Sequence, residues 1–164
     1  MSDYVNRAMV AAVLCLGVAC SSSEGGPASR EPLSGTVHGV AFEVAAATAT
    51  DIDGARFVTL SSAAADCTTG TSPRPGMVVV NLTVPTEALV PGAHALGASE
   101  PAPRVAVTTF EQNADGSLRQ RSDLVTSGTL HVFESQSGGL QGSLQIQNGE
   151  ASLLGAFAAD ACAN

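Results

Sequence analysis

The chain has few of the side chains that most often anchor a ligand. Its 164 residues include no tryptophan, one tyrosine and, among the 7 basic residues, no lysine. Tryptophan and tyrosine dominate the hot spots of binding surfaces, so recognition of a sugar or a peptide would lack its usual anchors. The absence of lysine excludes Schiff-base chemistry and a phosphate-binding P-loop. Phenylalanine supplies the rest of the aromatic content, at Phe42, Phe57, Phe110, Phe133 and Phe157.

The charge of the chain is acidic, with 15 acidic residues and a formal net charge of -8. The arginines are scattered along the sequence, at Arg7, Arg30, Arg56, Arg74, Arg104, Arg119 and Arg121. A nucleic-acid-binding protein needs clustered basic residues to neutralise phosphates. The composition therefore argues against nucleic acid as a partner, and equally against a purely electrostatic attachment to anionic lipid.

The N-terminus has the organisation of an export signal. Arg7 is followed by the uncharged segment Ala8 to Cys20 (AMVAAVLCLGVAC), which gives the charged region and then the apolar region of a secretory signal. A membrane-spanning helix needs about 20 apolar residues, whereas this run ends at Cys20 and is followed by the polar residues SSSEGG. The segment is therefore predicted to direct export and not to span the membrane.

The end of this segment, LGVAC with Cys20 as its last residue, resembles the lipobox of bacterial lipoproteins, in which small or apolar residues lead to an obligatory cysteine. The resemblance implies cleavage before Cys20, a diacylglycerol thioether on its sulfur and an acylated amine, which together form the multi-chain anchor that stable membrane attachment requires. Ser21, directly after the cysteine, resembles lipoproteins that are sorted to the outer membrane. The alternative is an ordinary secretory signal in which Cys20 carries no lipid.

These assignments divide the chain into three parts. Residues 1–19 are the predicted lipoprotein signal peptide, residues 20–33 the lipidated cysteine with a flexible tether, and residues 34–164 a single β domain. The tether is rich in serine, glycine and proline, which favours a flexible linker between the membrane and the domain. Removing residues 1–19 takes away Arg7 and Asp3, so the mature chain keeps its net charge of -8.

Two cysteines remain for the β domain once Cys20 is assigned to the anchor. They are Cys67 and Cys162, and an even pair in an oxidising compartment predicts one disulfide. Two free thiols, or a metal site, are the alternatives. Neither cysteine belongs to a CxxC pair or has a histidine close to it in sequence, as zinc ligands typically do.

Short segments in which apolar and polar residues alternate predict β-strands. Alternation is clearest in residues 77–84 and 139–147. The predicted strands cover residues 37–46, 55–62, 77–84, 104–112, 128–134 and 139–147, with weaker strands at 93–97 and 117–121 and a last strand after Gly149. Residues 45–49 have helical propensity, but the segment is short. About seven or eight strands predict an all-β domain, either a single antiparallel β-sandwich or a flattened up-and-down barrel.

The dipeptide Asn148-Gly149 is the strongest hairpin signal in the chain. A two-residue loop at this dipeptide predicts that Ile146 faces Ala151, and that the apolar residues of both strands share one face of the sheet. The same register places Gly142 opposite Gly155. This glycine pair would permit a bend, a close contact with other strands or room for a ligand.

The residues that could carry chemistry form no recognisable motif. The three histidines, His38, His94 and His131, lack the short spacing of a zinc site. Asp51 and Asp53 precede Gly54 like the start of a calcium loop, but the other oxygen ligands are missing, so an acidic hairpin turn is predicted. The carboxylates on or beside strands are interpreted as solvated. We therefore predict no catalytic residue, no metal and no cofactor.

The sequence thus predicts a membrane-anchored bacterial lipoprotein of the cell envelope, with the outer membrane as its expected location. Its β domain is expected to be non-enzymatic and to contact a protein partner in the envelope. A small barrel that binds an apolar ligand is the alternative function, with Gly142, Ala151 and Gly155 leaving room inside. A hydrolase or metal-dependent enzyme is the third possibility, and it would be favoured if His38, His94 or His131 converged with a carboxylate in a pocket.

Overall fold

A computed structural model describes residues 28–68, 70 and 72–162. These residues form eleven β-strands and one short 3₁₀ turn, Thr86–Ala88. The strands in chain order are β1 Ser34–Val37, β2 Val40–Glu43, β3 Ala46–Ile52, β4 Ala55–Ser61, β5 Val78–Pro85, β6 Gly92–Ala95, β7 Arg104–Gln112, β8 Leu118–Val125, β9 Thr129–Glu134, β10 Leu140–Gln147 and β11 Ala151–Ala161.

All eleven strands belong to one curled sheet, which confirms the all-β prediction. Nine of them follow the order β6-β9-β10-β11-β3-β4-β5-β7-β8, and β1 pairs with β11 and with β2. The sheet forms a half-barrel. It is mixed and not wholly antiparallel, because β11 and β3 run parallel where Asp160 and Ala161 meet Thr48 and Ala49. The prediction of a single antiparallel β-sandwich or flattened up-and-down barrel of seven or eight strands is therefore corrected in three respects, which are the strand number, this parallel pairing and the architecture of one curled half-barrel sheet.

The concave side of the half-barrel is filled by branched aliphatic side chains. Apolar residues occupy every second position of these strands, and every second residue of a strand points to the same face of the sheet. In β5, for example, Val78, Val80, Leu82 and Val84 are all buried, as the sequence predicts. The largest fully buried side chains are Leu33, Leu60, Leu82, Leu130, Leu140, Leu144, Ile146 and Leu153.

The predicted strand over residues 37–46 is interrupted by a tight turn. His38 and Gly39 both have positive φ, 49° and 79°, and Val37 pairs with Val40 across them. This is the geometry of a two-residue hairpin whose twist matches that of the flanking strands. Glycine adopts positive φ freely, and histidine is among the few other residues enriched there. The chain therefore reverses at His38 and does not continue as one strand.

The β10–β11 hairpin is present, but its loop lies one residue further along than predicted. Gly149 and Glu150 are its central residues, because the Asn148 backbone N–H donates to the Ala151 carbonyl. The Asn148 side-chain oxygen accepts hydrogen bonds from the backbone N–H groups of Glu150 and Ala151. Asparagine thus begins the turn, where its side chain stabilises the loop. Ile146 consequently pairs with Leu153 and not with Ala151.

This correction shifts the register by two residues, which leaves the buried face unchanged. Gly142 pairs with Phe157, and Gly155 pairs with Leu144, so the predicted glycine pair does not form. A Cβ atom on Gly142 would lie 2.5 Å from the His131 carbonyl oxygen, and one on Gly155 would lie 2.4 Å from the Leu33 Cα atom. Both glycines therefore allow backbones to approach closely, and neither leaves space for a ligand.

The chain enters the sheet just before the predicted start of the domain. Leu33 is fully buried, and its backbone N–H donates to the Ala156 carbonyl at 2.8 Å. From Ser34, β1 runs antiparallel to β11 toward Ala151. Cys20 and the predicted signal peptide lie outside the described residues. Within the part of the chain that is described, no helix has the length and apolar character needed to cross a membrane.

Candidate functional site

The turn between β1 and β2 places His38 against three other elements of the sheet. The His38 backbone N–H donates to the Glu150 carbonyl at 2.7 Å, which ties this turn to the β10–β11 loop. Its side chain is only 1% exposed. The ring Nδ1 atom lies 2.8 Å from the Thr109 hydroxyl on β7, a residue that is itself fully buried. The imidazole is therefore held in one orientation from its inner side.

Two carboxylates meet the outer nitrogen of this ring. Asp123 lies on β8, on the face that Val125 also uses, and its Oδ2 atom is 2.8 Å from His38 Nε2. Glu150 comes from the β10–β11 loop, with its Oε2 atom 4.0 Å from the same nitrogen. One donor atom from each of the three residues lies within 4.8 Å of the other two. The three groups are distant in sequence and converge only through the fold.

The short approach between His38 Nε2 and Asp123 Oδ2 lacks the alignment of a hydrogen bond. Both atoms are buried and have no hydrogen-bond partner. The residues around them are nonetheless charged, because Arg121 contacts both carboxylates. Its Nε atom lies 3.4 Å from Asp123 Oδ2, and its Nη2 atom donates to Glu150 Oε2. Arg121 is thus the cation that the cluster holds in this structure.

The arrangement resembles a hydroxyl–imidazole–carboxylate triad in connectivity, because Thr109, His38 and Asp123 follow one another at 2.8 Å. A nucleophilic hydroxyl must reach the substrate, however. Thr109 is 0% exposed, so its hydroxyl is closed off behind the histidine. The outer side of the cluster consists of the buried imidazole Nε2 atom and two partly exposed carboxylates, which is a set of ligand atoms and not a nucleophile.

A second polar cluster lies near the other end of β10. The buried guanidinium of Arg56 binds both carboxylate oxygens of Asp51, at 2.7 and 2.8 Å. It also donates to the Ser135 hydroxyl at 2.7 Å and to the Gly139 carbonyl at 2.6 Å. Hydrogen bonding to Arg56 lowers the pKa of Asp51, and the same bond raises the pKa of Arg56. These hydrogen bonds connect Arg56 on β4 to Asp51 on β3 and to the β9–β10 loop, so the cluster joins three parts of the domain.

The structure does not bring the three histidines together. His94 and His131 lie on β6 and β9, at the edge of the sheet opposite β8. His94 Nε2 is 2.9 Å from the Val90 carbonyl oxygen, and His131 Nε2 is buried without a hydrogen-bond partner. The predicted acidic turn is present, with Asp53 and Gly54 at its centre and with positive φ.

The two domain cysteines are joined in the pairing that the sequence predicts. The Sγ atoms of Cys67 and Cys162 form a disulfide whose Cα atoms are 5.2 Å apart. It connects the loop after β4 to the residue that follows β11. The Cys162 backbone N–H also donates to the Ala49 carbonyl at 2.7 Å. Cys162 is therefore attached both by the disulfide and by a hydrogen bond to β3.

Sequence analysis does not find the cluster of His38, Asp123 and Glu150. It interprets carboxylates near strands as solvated, and no short motif links residues so far apart. One local signal was present, because His38-Gly39 stands between two valines, as a hairpin turn does. That signal would have placed His38 in a turn, but only the tertiary structure brings Asp123 to it.

Comparisons with protein-family models, with curated proteins and with solved structures gave no match. The function is therefore argued from the residues of the chain itself.

Proposed function

We propose that this chain is an exported lipoprotein of the bacterial envelope, anchored through Cys20, whose β domain is a binding module. The observation that carries the proposal is the disulfide between Cys67 and Cys162. Disulfides persist in oxidising compartments such as the periplasm and are rare in the cytosol. This agrees with the apolar segment and the lipobox-like LGVAC sequence, which independently predict export.

The direction of the first strand determines where the His38 cluster lies relative to the tether. The tether enters the sheet beside Ala156, and β1 then runs toward the Ala151 end of β11. His38 follows β1 directly and lies at that end. The cluster of His38, Asp123 and Glu150 is accordingly directed away from the point where the tether enters.

Binding is favoured over an apolar-ligand barrel and over a hydrolase of the triad type by the packing of the domain. A ligand-binding barrel needs an interior space, whereas the concave side here is filled by residues such as Leu60, Leu130 and Leu144. An enzyme of the triad type needs an accessible nucleophile, whereas Thr109 is fully buried. The exposed parts of the domain, including the carboxylates at the His38 cluster, remain as the surface that contacts a partner.

Lipidation of Cys20 is tested by metabolic labelling with palmitate in a Gram-negative host. We expect the wild-type chain to incorporate the label and to sediment with membranes, because a diacylglyceryl thioether with an acylated amine anchors a protein stably. Cys20→Ala should lose the label and leave the membrane fraction.

Cys15→Ala is the matched control, because it removes the other cysteine of the same apolar segment. It should retain the label fully. Label that persists in Cys20→Ala, or that disappears in Cys15→Ala alone, would contradict the assignment of Cys20 as the anchor.

A further inference from the structure

We propose that His38, Asp123 and Glu150 form a binding site for a divalent zinc-type metal ion, and that Arg121 occupies the site when the metal is absent. This inference goes beyond the anchored binding module and does not depend on the lipid. It rests on three metal-ligand groups whose donor atoms lie within 4.8 Å of one another, and on His38 Nε2, a buried atom without a hydrogen-bond partner on a side chain that is 1% exposed.

The tautomer of the His38 imidazole determines what its outer nitrogen can bind. If the ring Nδ1–H donates to the Thr109 hydroxyl, 2.8 Å away, Nε2 presents a lone pair to its other side. That lone pair faces Asp123 Oδ2 at 2.8 Å. Two acceptors at this distance repel each other unless a proton or a metal ion lies between them. A buried Thr109 that fixes the ring is also the kind of second partner that metal-binding histidines have.

The distances suit a small transition-metal ion. Zinc binds imidazole nitrogen and carboxylate oxygen at about 2.0 to 2.2 Å, so two ligands of a tetrahedral ion lie about 3.3 Å apart. The observed separations from His38 Nε2 are 2.8 Å to Asp123 and 4.0 Å to Glu150, on either side of that value. Glu150 is 46% exposed in a loop, and its side chain can close the remaining gap. Water would fill the fourth position.

The donor set also selects the kind of metal. Calcium and magnesium prefer sites made of oxygen ligands alone. An imidazole with two carboxylates suits zinc and its neighbours among the divalent transition metals. The net charge of the two carboxylates would balance the charge of the ion. The chemistry therefore points to zinc as the probe with which to test the site.

Arg121 would compete with a metal ion for the carboxylates of Asp123 and Glu150. Its guanidinium contacts Glu150 Oε2 and lies 3.4 Å from Asp123 Oδ2, so it stabilises the same carboxylates that the metal would use. The side chain is 45% exposed and can move into solvent. Metal binding must displace this contact and overcome the repulsion of a nearby positive charge. Removing Arg121 should therefore tighten metal binding, whereas the loss of a merely structural ion pair would not.

The test is calorimetric titration of the full chain, purified in detergent and stripped with a chelator, with zinc chloride. We expect one zinc ion per wild-type chain. His38→Asn should weaken binding at least about ten-fold because it removes the imidazole ligand. Asparagine also adopts positive φ readily, so the turn is retained. Asp123→Asn should weaken binding by a similar factor.

Arg121→Gln should bind zinc several-fold more tightly than the wild type. Arg104→Gln is the matched control, since Arg104 forms a comparable ion pair with Glu100 at 3.5 Å and lies toward the other end of β7. It should leave zinc affinity unchanged. Thermal unfolding provides a second readout. Zinc should raise the melting temperature of the wild type and of Arg121→Gln more than that of His38→Asn, because a ligand stabilises the state that binds it according to its affinity.

The proposal is overturned if the wild type binds no stoichiometric zinc, or if His38→Asn binds it as tightly. Weaker zinc binding by Arg121→Gln would also overturn the proposed competition. In the first case the three groups would share a proton and form an ion-pair network with Arg121. None of these results bears on palmitate labelling of Cys20, so failure of the metal site is distinguishable from failure of the anchor.

Discussion

Replacing both Cys67 and Cys162 with serine is expected to lower the free energy of unfolding by up to about 4 to 5 kcal/mol. The disulfide closes a loop with a sequence separation of 95 residues. On the chain-entropy estimate, a cross-link over a loop of this length restricts the unfolded chain by roughly that amount, and strain in the folded state subtracts from it. Since small domains are stable by only about 5 to 15 kcal/mol, the loss is a large fraction of the total.

Urea unfolding of the wild type, with and without reductant, is the measurement. The reduced wild type should unfold at the same urea concentration as the double serine variant, and the oxidised wild type at a clearly higher one. The single Cys20→Ser variant is the control, because Cys20 is not part of the bridge, and it should behave as the oxidised wild type does. Equal stability of oxidised and reduced protein would contradict a contribution of this bridge to the fold.

Arg56→Leu is expected to lower the free energy of unfolding by about 3 kcal/mol. The leucine keeps the apolar volume of the side chain but removes the hydrogen bonds to Ser135 and to the Gly139 carbonyl. Hydrogen bonds from a charged donor contribute about 1.5 to 3 kcal/mol each, and the groups that lose them stay partly buried. The cluster therefore holds the β9–β10 loop against β4.

Arg119→Leu is the matched control, because Arg119 is exposed on β8 and surface substitutions of this kind change stability by about 0.5 kcal/mol or less. Denaturant unfolding of both variants against the wild type measures the difference. Equal effects of the two substitutions would mean that the Arg56 contacts do not stabilise the domain.

The ion pair between Arg56 and Asp51 makes the free energy of unfolding depend on pH. The hydrogen bond from Arg56 lowers the pKa of Asp51 below its ordinary value of 3.8. The ionised form is therefore favoured in the folded state, and its stabilisation is complete above that value and disappears as the pH falls through the lower pKa of the folded protein. Because Asp51 is 54% exposed, solvent screening limits the effect to less than about 1 kcal/mol.

Unfolding of the wild type and of Asp51→Asn as a function of pH measures this dependence. The two proteins should differ at neutral pH and should converge as the pH falls below the ordinary aspartate range. A difference that grows toward acid pH would contradict the lowered pKa of Asp51.

The strands with strong alternation were predictable because burial of one face dictates a period of two residues. Residues 104–112 are predicted as a strand and form β7, and β5 and β10 lie within one or two residues of their predicted bounds. In the β10–β11 hairpin the faces were predicted correctly although the register was not. A slip of two residues returns every side chain to the same face, so the pattern cannot detect it.

The errors arise where local preference and tertiary structure disagree. Ala46–Ile52 forms β3 despite its run of alanines, because the backbone groups of this segment pair with β4 on one side and with the end of β11 on the other. The parallel pairing with β11 brings together residues more than a hundred positions apart, and nothing in either segment indicates it. The site was missed for the same reason, since His38 meets Asp123 only when the sheet curls.

The most direct test of the central claim is the intact mass of the protein purified from the membranes of a Gram-negative host. We expect a chain that begins at Cys20, carries the mass of a diacylglyceryl group and an acyl chain, and weighs two hydrogen atoms less than its reduced form. An unmodified Cys20 within an uncleaved or differently cleaved chain would contradict the lipid anchor. A mass that does not change on reduction would contradict the disulfide on which the proposed export rests.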